Sequence, residues 1–247
     1  MKLKHDILLL GDSLEYMRRM PSKSVNVIIT DPPYNTTSND WDTEFDTDLF
    51  WKHAHRICTG AIVMTASQPF SSKMVMSNLQ NFRHEWIWQK NAGSNFANTV
   101  REPFKEHESV LVFSVGKWTY NPQMQERADS GKSRVKTSIK FETGSDNYRQ
   151  FDKVIVKQAS ELRVPSSVQK FNRERGLHPT QKPVDLMRYL IRTYTNESDL
   201  ILDPFMGSGT TCLAAKLEKR RYIGIDKKKK YLRIATDRLT SIPNRMW

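Results

Sequence analysis

Asp31-Pro32-Pro33-Tyr34 puts a carboxylate, two prolines and an aromatic ring directly after an apolar, β-branched run, Val25-Asn26-Val27-Ile28-Ile29-Thr30. Pro32 and Pro33 fix φ and carry no N–H, and Pro32 keeps Asp31 out of the helical region, so the turn is stiff and its carbonyls are free to accept. Asp31 adds a charged acceptor, and Tyr34 adds a flat face for stacking. Acceptors beside an aromatic platform suit a planar ring that bears an amino group, and a nucleobase is such a ring. The tetrapeptide alone also fits a stiff surface loop with a half-buried tyrosine. A second loop far downstream argues for the chemical reading.

That loop is Asp203-Pro204-Phe205-Met206-Gly207-Ser208-Gly209-Thr210-Thr211. A strand, Gly207-x-Gly209, a helix, a second strand and then Asp226 make the layout of a nucleoside-binding βαβ unit. The glycines let backbone approach a ligand, and the acid about twenty positions on can hold ribose hydroxyls. A phosphate loop would carry a lysine after the second glycine, where Thr210 and Thr211 stand, and a dinucleotide fold would carry a third glycine near Cys212. The loop opens on a carboxylate, Asp203, which suits a cationic or amino-acid-bearing ligand better than a pyrophosphate, although it also fits a helix N-cap. S-adenosyl-L-methionine has a ribose, a sulfonium and an α-amino group, and no phosphate.

Alternating strands and helices must position these loops. Residues 7–10 and 25–30 read as buried strands joined by a helix over 14–20, with Asp12 or Ser13 as its N-cap, which is a βαβ pattern. Helices are expected over 47–57 and 68–79, strands over 60–66, 84–89 and 108–114, and polar loops over 35–46 (carrying Trp41, over the site) and 90–105. In the last third a helix runs from Val184 to about Tyr194. A strand at 200–203 leads into a helix through Lys216, a strand over 221–225 ends at Asp226, and a helix covers 231–239. The fold class is therefore α/β, with strands buried on both faces.

Between residues 117 and 176 apolar periodicity fades, and lysine and arginine exceed the acids by six, half of the chain's net +12. Phe141, Tyr148, Phe151 and Phe171 are scattered through this stretch. Basic residues interleaved with aromatics suit phosphates and bases; a solvated basic insert fits equally well. The whole chain of 247 residues has a pI near 9.7, which favours a polyanion partner such as nucleic acid. No basic amphipathic anchor or bilayer-length apolar stretch points to a membrane. The two cysteines, Cys58 and Cys212, lie far apart without metal-ligand spacing, which suits a reducing cytoplasm and argues against a metal site. His53 and His55 read as helix-surface residues.

Asp31-Pro32-Pro33-Tyr34 together with Asp203 to Thr211 resembles the amino-methylating DNA methyltransferases. The order is that of their β group: catalytic loop, target-recognition region, cofactor loop. His178-Pro179-Thr180-Gln181-Lys182-Pro183 matches a further motif ahead of the cofactor half. The resemblance implies a Rossmann-like methyltransferase fold, a twisted, mostly parallel seven-stranded sheet with one antiparallel strand and helices on both faces. It divides the chain into a catalytic half (1–116), a target-recognition insert (117–176) and a cofactor-binding half (177–247). It also implies S-adenosyl-L-methionine as methyl donor, double-stranded DNA with a flipped target base as partner, a restriction-modification context in a prokaryote or phage, and room for a homodimer.

By the same resemblance, Asp31 and the Pro32 carbonyl accept the two amino hydrogens of the base, with Pro33 completing the turn and Tyr34 stacking on the ring. Gly207 and Gly209, with Phe205, Ser208, Thr210 and Thr211 around them, face the methionine part. Asp226 holds the ribose, Asp12 and Ser13 lie on the adenine side, and His178, Pro179, Gln181 and Lys182 line the pocket with Asp203. The run from Lys227 to Lys230 departs from the family pattern and reads as a solvated turn. Aspartate at the first catalytic position favours adenine N6, with cytosine N4 as the alternative. RNA or protein-glutamine methyltransferases usually carry asparagine there. A dinucleotide-dependent oxidoreductase is a reading from another class that the missing third glycine disfavours, and the intact motifs count against an idle DNA-binding module.

Overall fold

The computed structural model describes residues 4–35, 45–127, 162–174, 176–177 and 180–242. It forms two compact units, one made of Met1–Asn121 with Ser167–Trp247 and the other of Pro122–Ser166. The first half of the larger unit runs β1 (Ile7–Leu10), α1 (Ser13–Arg19), β2 (Val27–Thr30), α2 (Thr47–Ile57), β3 (Ile62–Ala66), α3 (Phe70–Ser77), β4 (Phe82–Gln89) and β5 (His107–Phe113). In the smaller unit β6 (Gln125–Glu126) pairs antiparallel with β7 (Leu162–Arg163). The chain returns through β8 (Val168–Lys170), α4 (Val184–Tyr194), β9 (Leu200–Asp203), α5 (Thr210–Leu217), β10 (Arg221–Asp226) and α6 (Lys229–Thr240). Trp41, Phe141, Tyr148 and Phe151 lie outside the described residues.

The larger unit is one sheet in the order β1-β10-β9-β2-β3-β5-β4-β8. Pairings are parallel except those of β5 with β3 and β4. The expected seven strands become eight because Val168-Gln169-Lys170 adds an edge strand beside β4, too short and too polar to show in the residue pattern. Successive strand residues alternate between two cores, as a period of two requires. Val27, Ile29, Val63 and Ile201 face the layer of α4, α5 and α6 through Leu186, Leu190, Tyr194, Leu213 and Ala235. Ile28, Ile62, Met64 and Leu202 face α1, α2 and α3 through Met17, Phe50, Ile57 and Met74. Burial on both faces is why these strands read as apolar runs without alternation.

Helix α2 corrects one expectation. His53 is 5% exposed, not a surface residue, and its ring nitrogens have no hydrogen-bond partner among the described residues. Burial, with Arg56 and Lys52 nearby, holds its pKa below the ordinary histidine value, so a neutral ring is packed where the sequence pattern suggested a wet face. His55 is half-buried and meets the side chain of Asn78 at 3.1 Å.

Candidate active site

Strand order decides where the two loops meet. From β2 the chain moves on to β3 on one side, and from β9 it moves on to β10 on the other. The crevice at their carboxyl ends is thus a topological switch point, where open α/β sheets bind ligands. β2 and β9 are parallel neighbours with Ile28 opposite Leu202, and Asp31 follows β2 while Asp203 ends β9. A cleft of about 330 Å³ opens there, within the size range of small-molecule sites.

Most of the residues picked from the sequence line this cleft: Asp12, Ser13, Asp31, Pro33, Gln181, Lys182, Asp203, Phe205, Gly207, Ser208, Thr210, Thr211 and Asp226. Pro32 and Tyr34 do not line it. Gly209 does not either: it takes φ +76° at the N-cap of α5, and a Cβ there would stand 2.6 Å from that of Ala235 in α6. Its lack of a side chain serves helix packing. His178 and Pro179 lie outside the described residues.

The glycine loop is held from three directions. Asp226 accepts from the Gly207 amide at 3.0 Å and the Lys228 amide at 2.7 Å. Burial raises its pKa, and those amides partly offset the rise. The Ser13 hydroxyl donates to the Pro204 carbonyl. Arg238 of α6 donates to the Ser208 carbonyl at 2.8 Å and the Thr210 hydroxyl at 3.0 Å. Asp12 caps α1 through the Glu15 amide and pairs with Lys227 at 2.8 Å. Burial opposes its ionisation, and Lys227 with the Glu15 amide outweighs it, so its pKa falls. Lys227 and Lys228 line the cleft, so the start of the lysine run is part of the site wall, while Lys229 and Lys230 are exposed at the start of α6.

Asp203 is 2% exposed and has no ion-pair partner among the described residues. The Thr30 hydroxyl donates to it at 2.7 Å and the Phe205 amide at 3.2 Å. Burial pushes its pKa up to about 7 against these donors, with Asp31 adding to the rise. A raised carboxyl favours folding while it is protonated below about pH 4, and that advantage is lost as pH climbs through 7. Asp203→Asn should therefore gain stability relative to the wild type between pH 4 and pH 8, by about 4 kcal/mol. Urea melts of the ligand-free protein check this; a stability difference that stays flat with pH would refute it.

Around Asp31 the structure shows a charged cluster that no motif foretold beyond Lys182. Tyr34 donates to Asp31 Oδ1 at 2.8 Å, and the Thr65 hydroxyl of β3 donates to the same oxygen. Lys182 donates to Oδ2 at 2.7 Å. Behind Lys182, Glu108 of β5 stands at 3.4 Å and is itself paired with Lys90 at 2.6 Å. Burial disfavours the Lys182 ammonium, but Asp31 and Glu108 outweigh it and hold its pKa above the usual lysine value. Burial also opposes ionisation of Glu108, and Lys182 with Lys90 overcomes it, so its pKa is lowered. Tyr34 stacks on Phe70, with centroids 5.0 Å apart, and the Lys182 ammonium lies over its ring at 5.5 Å. Phe45, tilted against Phe205 at 5.2 Å, supplies an aromatic wall of the cleft.

Residues 25–237 match the N6/N4 methyltransferase family, described as DNA methylase. Type II methyltransferase M.HpaI of Haemophilus parainfluenzae is 28% identical over 95% of this chain and 74% of its own length. DNA adenine methyltransferase YhdJ of Escherichia coli strain K12 is 26% identical over 93% of this chain and 81% of its own. Among solved structures, the M1.HpyAVI–SAM complex is 26% identical with a TM-score of 0.60 over 94% of this chain and 98% of that one. The PvuII DNA methyltransferase (cytosine-N4-specific) superposes with a TM-score of 0.66 over 100% of this chain and 89% of that one, and at 17% identity it shows the shared fold. With the family match spanning most of its length, the chain belongs to the N6/N4 DNA methyltransferases.

Proposed function

We propose that the protein transfers a methyl group from S-adenosyl-L-methionine to the N6 amino group of adenine in double-stranded DNA. The observation that carries the reading is that Asp31 and the glycine loop, far apart in sequence, open onto one cleft whose floor includes Asp203 and Asp226. The cleft suits the donor: Asp203 is a buried carboxyl without a cation among the described residues, and the Asp226 carboxylate stands between the glycine loop and the start of α6 as a ribose holder would. Bound there, S-adenosyl-L-methionine supplies an electrophilic methyl group on a sulfonium.

The chain's own part is to prepare the nucleophile. An adenine amino lone pair is delocalised into the ring. Asp31 and the Pro32 carbonyl, held by a turn without N–H groups, would accept both amino hydrogens, favour a pyramidal nitrogen and stabilise the positive charge that develops on it. The remaining requirement is in-line positioning. No covalent intermediate is needed, and both cysteines are buried thiols whose pKa values burial raises. A base inside a duplex cannot reach Asp31, so it must be flipped out, at a few kcal/mol that stacking on Tyr34 would partly offset.

Adenine is favoured over cytosine by the aspartate at position 31 and by the adenine specificity in the name of the Escherichia coli relative. Mass spectrometry of nucleosides from unmethylated DNA, after incubation with protein and S-adenosyl-L-methionine, tests the assignment. N6-methyladenine is expected. N4-methylcytosine would overturn the base assignment, and no modified base at all would overturn the activity.

A further inference from the structure

Asp31 is already in use. Its Oδ1 takes the hydroxyls of Tyr34 and Thr65, and its Oδ2 takes the Lys182 ammonium at 2.7 Å. A carboxylate has about four acceptor positions, so one on Oδ2 remains, but the ammonium crowds it. The charge matters more than the room. If Asp31 is to stabilise positive charge on an amino nitrogen, as proposed above, a lysine cation on the same oxygen cancels its field and repels the developing charge. The ammonium also lies over the Tyr34 ring, 5.5 Å from its centroid, where a base stacked on that face would lie.

A second acceptor waits beside it. Glu108 Oε2 is buried and has no hydrogen-bond donor among the described residues, yet it is 3.4 Å from Lys182 Nζ. A buried acceptor held only by that one long ion-pair contact is under-satisfied, and a shorter contact would stabilise it. Its other oxygen is anchored by Lys90 at 2.6 Å, and Lys90 in turn lies over the Trp88 ring, so Glu108 is fixed in place. Lys182 needs only to close the 3.4 Å gap to hydrogen-bond length, and the exchange trades one carboxylate partner for another while leaving Asp31, freed of its cation, to the amino group of the base.

We propose that Lys182 is a movable counter-ion: it holds Asp31 while no base is bound and passes to Glu108 when a base's amino group takes Asp31 Oδ2. Glu108 and Lys90 are then positioning residues for the reaction, acting through Lys182. The inference rests on the methyltransferase reading. The test is the charge-balanced double variant Glu108→Gln, Lys90→Met, which keeps one cation for the one remaining carboxylate and so avoids an orphaned buried charge. Lys182 then has only Asp31.

The single-turnover rate of methyl transfer should fall by about 30-fold, in keeping with a charged hydrogen bond that must break unreplaced, while the dissociation constant for S-adenosyl-L-methionine stays within about threefold. Adding Lys182→Met removes the competing cation and should recover at least about tenfold of that rate, which a merely structural role would not produce. The single variant Glu108→Gln gives an independent reading should the double variant fold poorly, with the same fall expected. A rate within about twofold of wild type in these variants, or a further fall on adding Lys182→Met, would overturn the proposal and leave the methyltransferase reading standing. A wild-type protein that methylates no DNA would overturn both.

Discussion

Asp31→Ala is expected to lower methyl transfer to DNA by at least about 10³-fold while leaving S-adenosyl-L-methionine binding within about fivefold of wild type. The loss is large because the substitution removes the only anionic acceptor of the Asp31 turn. The Pro32 carbonyl, left alone, takes one amino hydrogen and stabilises little charge. Cofactor binding survives because the glycine loop is held without Asp31, through Asp226, Ser13 and Arg238. The variant also strands Lys182 with Glu108 and leaves the hydroxyls of Tyr34 and Thr65 without their acceptor, so a lower melting temperature should accompany it. Asp31→Asn separates the two effects: it keeps the shape, restores most of the stability, and should still lose about 100-fold in rate, because an amide has one acceptor oxygen and no charge. Equilibrium dialysis with the cofactor and a radiolabelled transfer assay decide the matter. Transfer within tenfold of wild type, or cofactor binding lost in step with the rate, would refute the role given to Asp31.

Much of this arrangement could be read from residue order, for physical reasons that also mark where reading stops. The central strands are apolar on both faces, so β2, β3, β5, β9 and β10 announce themselves, whereas β1, read as a buried strand, is the part-buried edge of the sheet with Leu10 exposed. Short loops at the ends of β2 and β9 must then lie at one edge, and strand order brings Asp31 and Asp203 together. Contacts between distant segments are a different matter. The reach of Lys182 to Asp31 crosses 151 positions, and its sequence neighbours offered only a pocket-lining role. Glu108 reads as the polar start of a strand, and only the antiparallel register of β5 beside β3 and β4 brings it to the site end. Arg238 looks like an ordinary cation near the end of a helix until α6 lies over the glycine loop. Gly209 stands at a motif position, yet what it accommodates is Ala235. His53 belongs with these, since a helix that packs between a sheet and α1 buries more of its circumference than its polar residues suggest.

Asp226→Ala is expected to separate from Asp31→Ala in the opposite sense, weakening S-adenosyl-L-methionine binding by about 100-fold while the transfer rate at saturating cofactor stays within about threefold. Two losses combine. A carboxylate that faces the cleft disappears, and with it a charged acceptor for ribose hydroxyls, each such bond being worth about 1.5–3 kcal/mol. The same carboxylate also ties the Gly207 amide to the end of β10 and receives the Lys228 amide, so its removal frees two donors and lets the loop relax away from the strand. The Met206 amide remains bonded to the Ile225 carbonyl, which should keep the loop near its place and confine the damage to affinity. Asp226→Asn discriminates between the two contributions: it loses the charge as alanine does but keeps one oxygen for one of the two amides, so a loss as large as that of the alanine variant would assign the effect to the missing charge and a loss of only about tenfold to loop anchoring. Calorimetric titration of the cofactor against all three proteins, with the rate measured at saturation, makes the comparison. Equal loss of cofactor binding in Asp31→Ala and Asp226→Ala would mean that the cleft is not divided into a base side and a cofactor side, and the mechanism built on that division would fall with it.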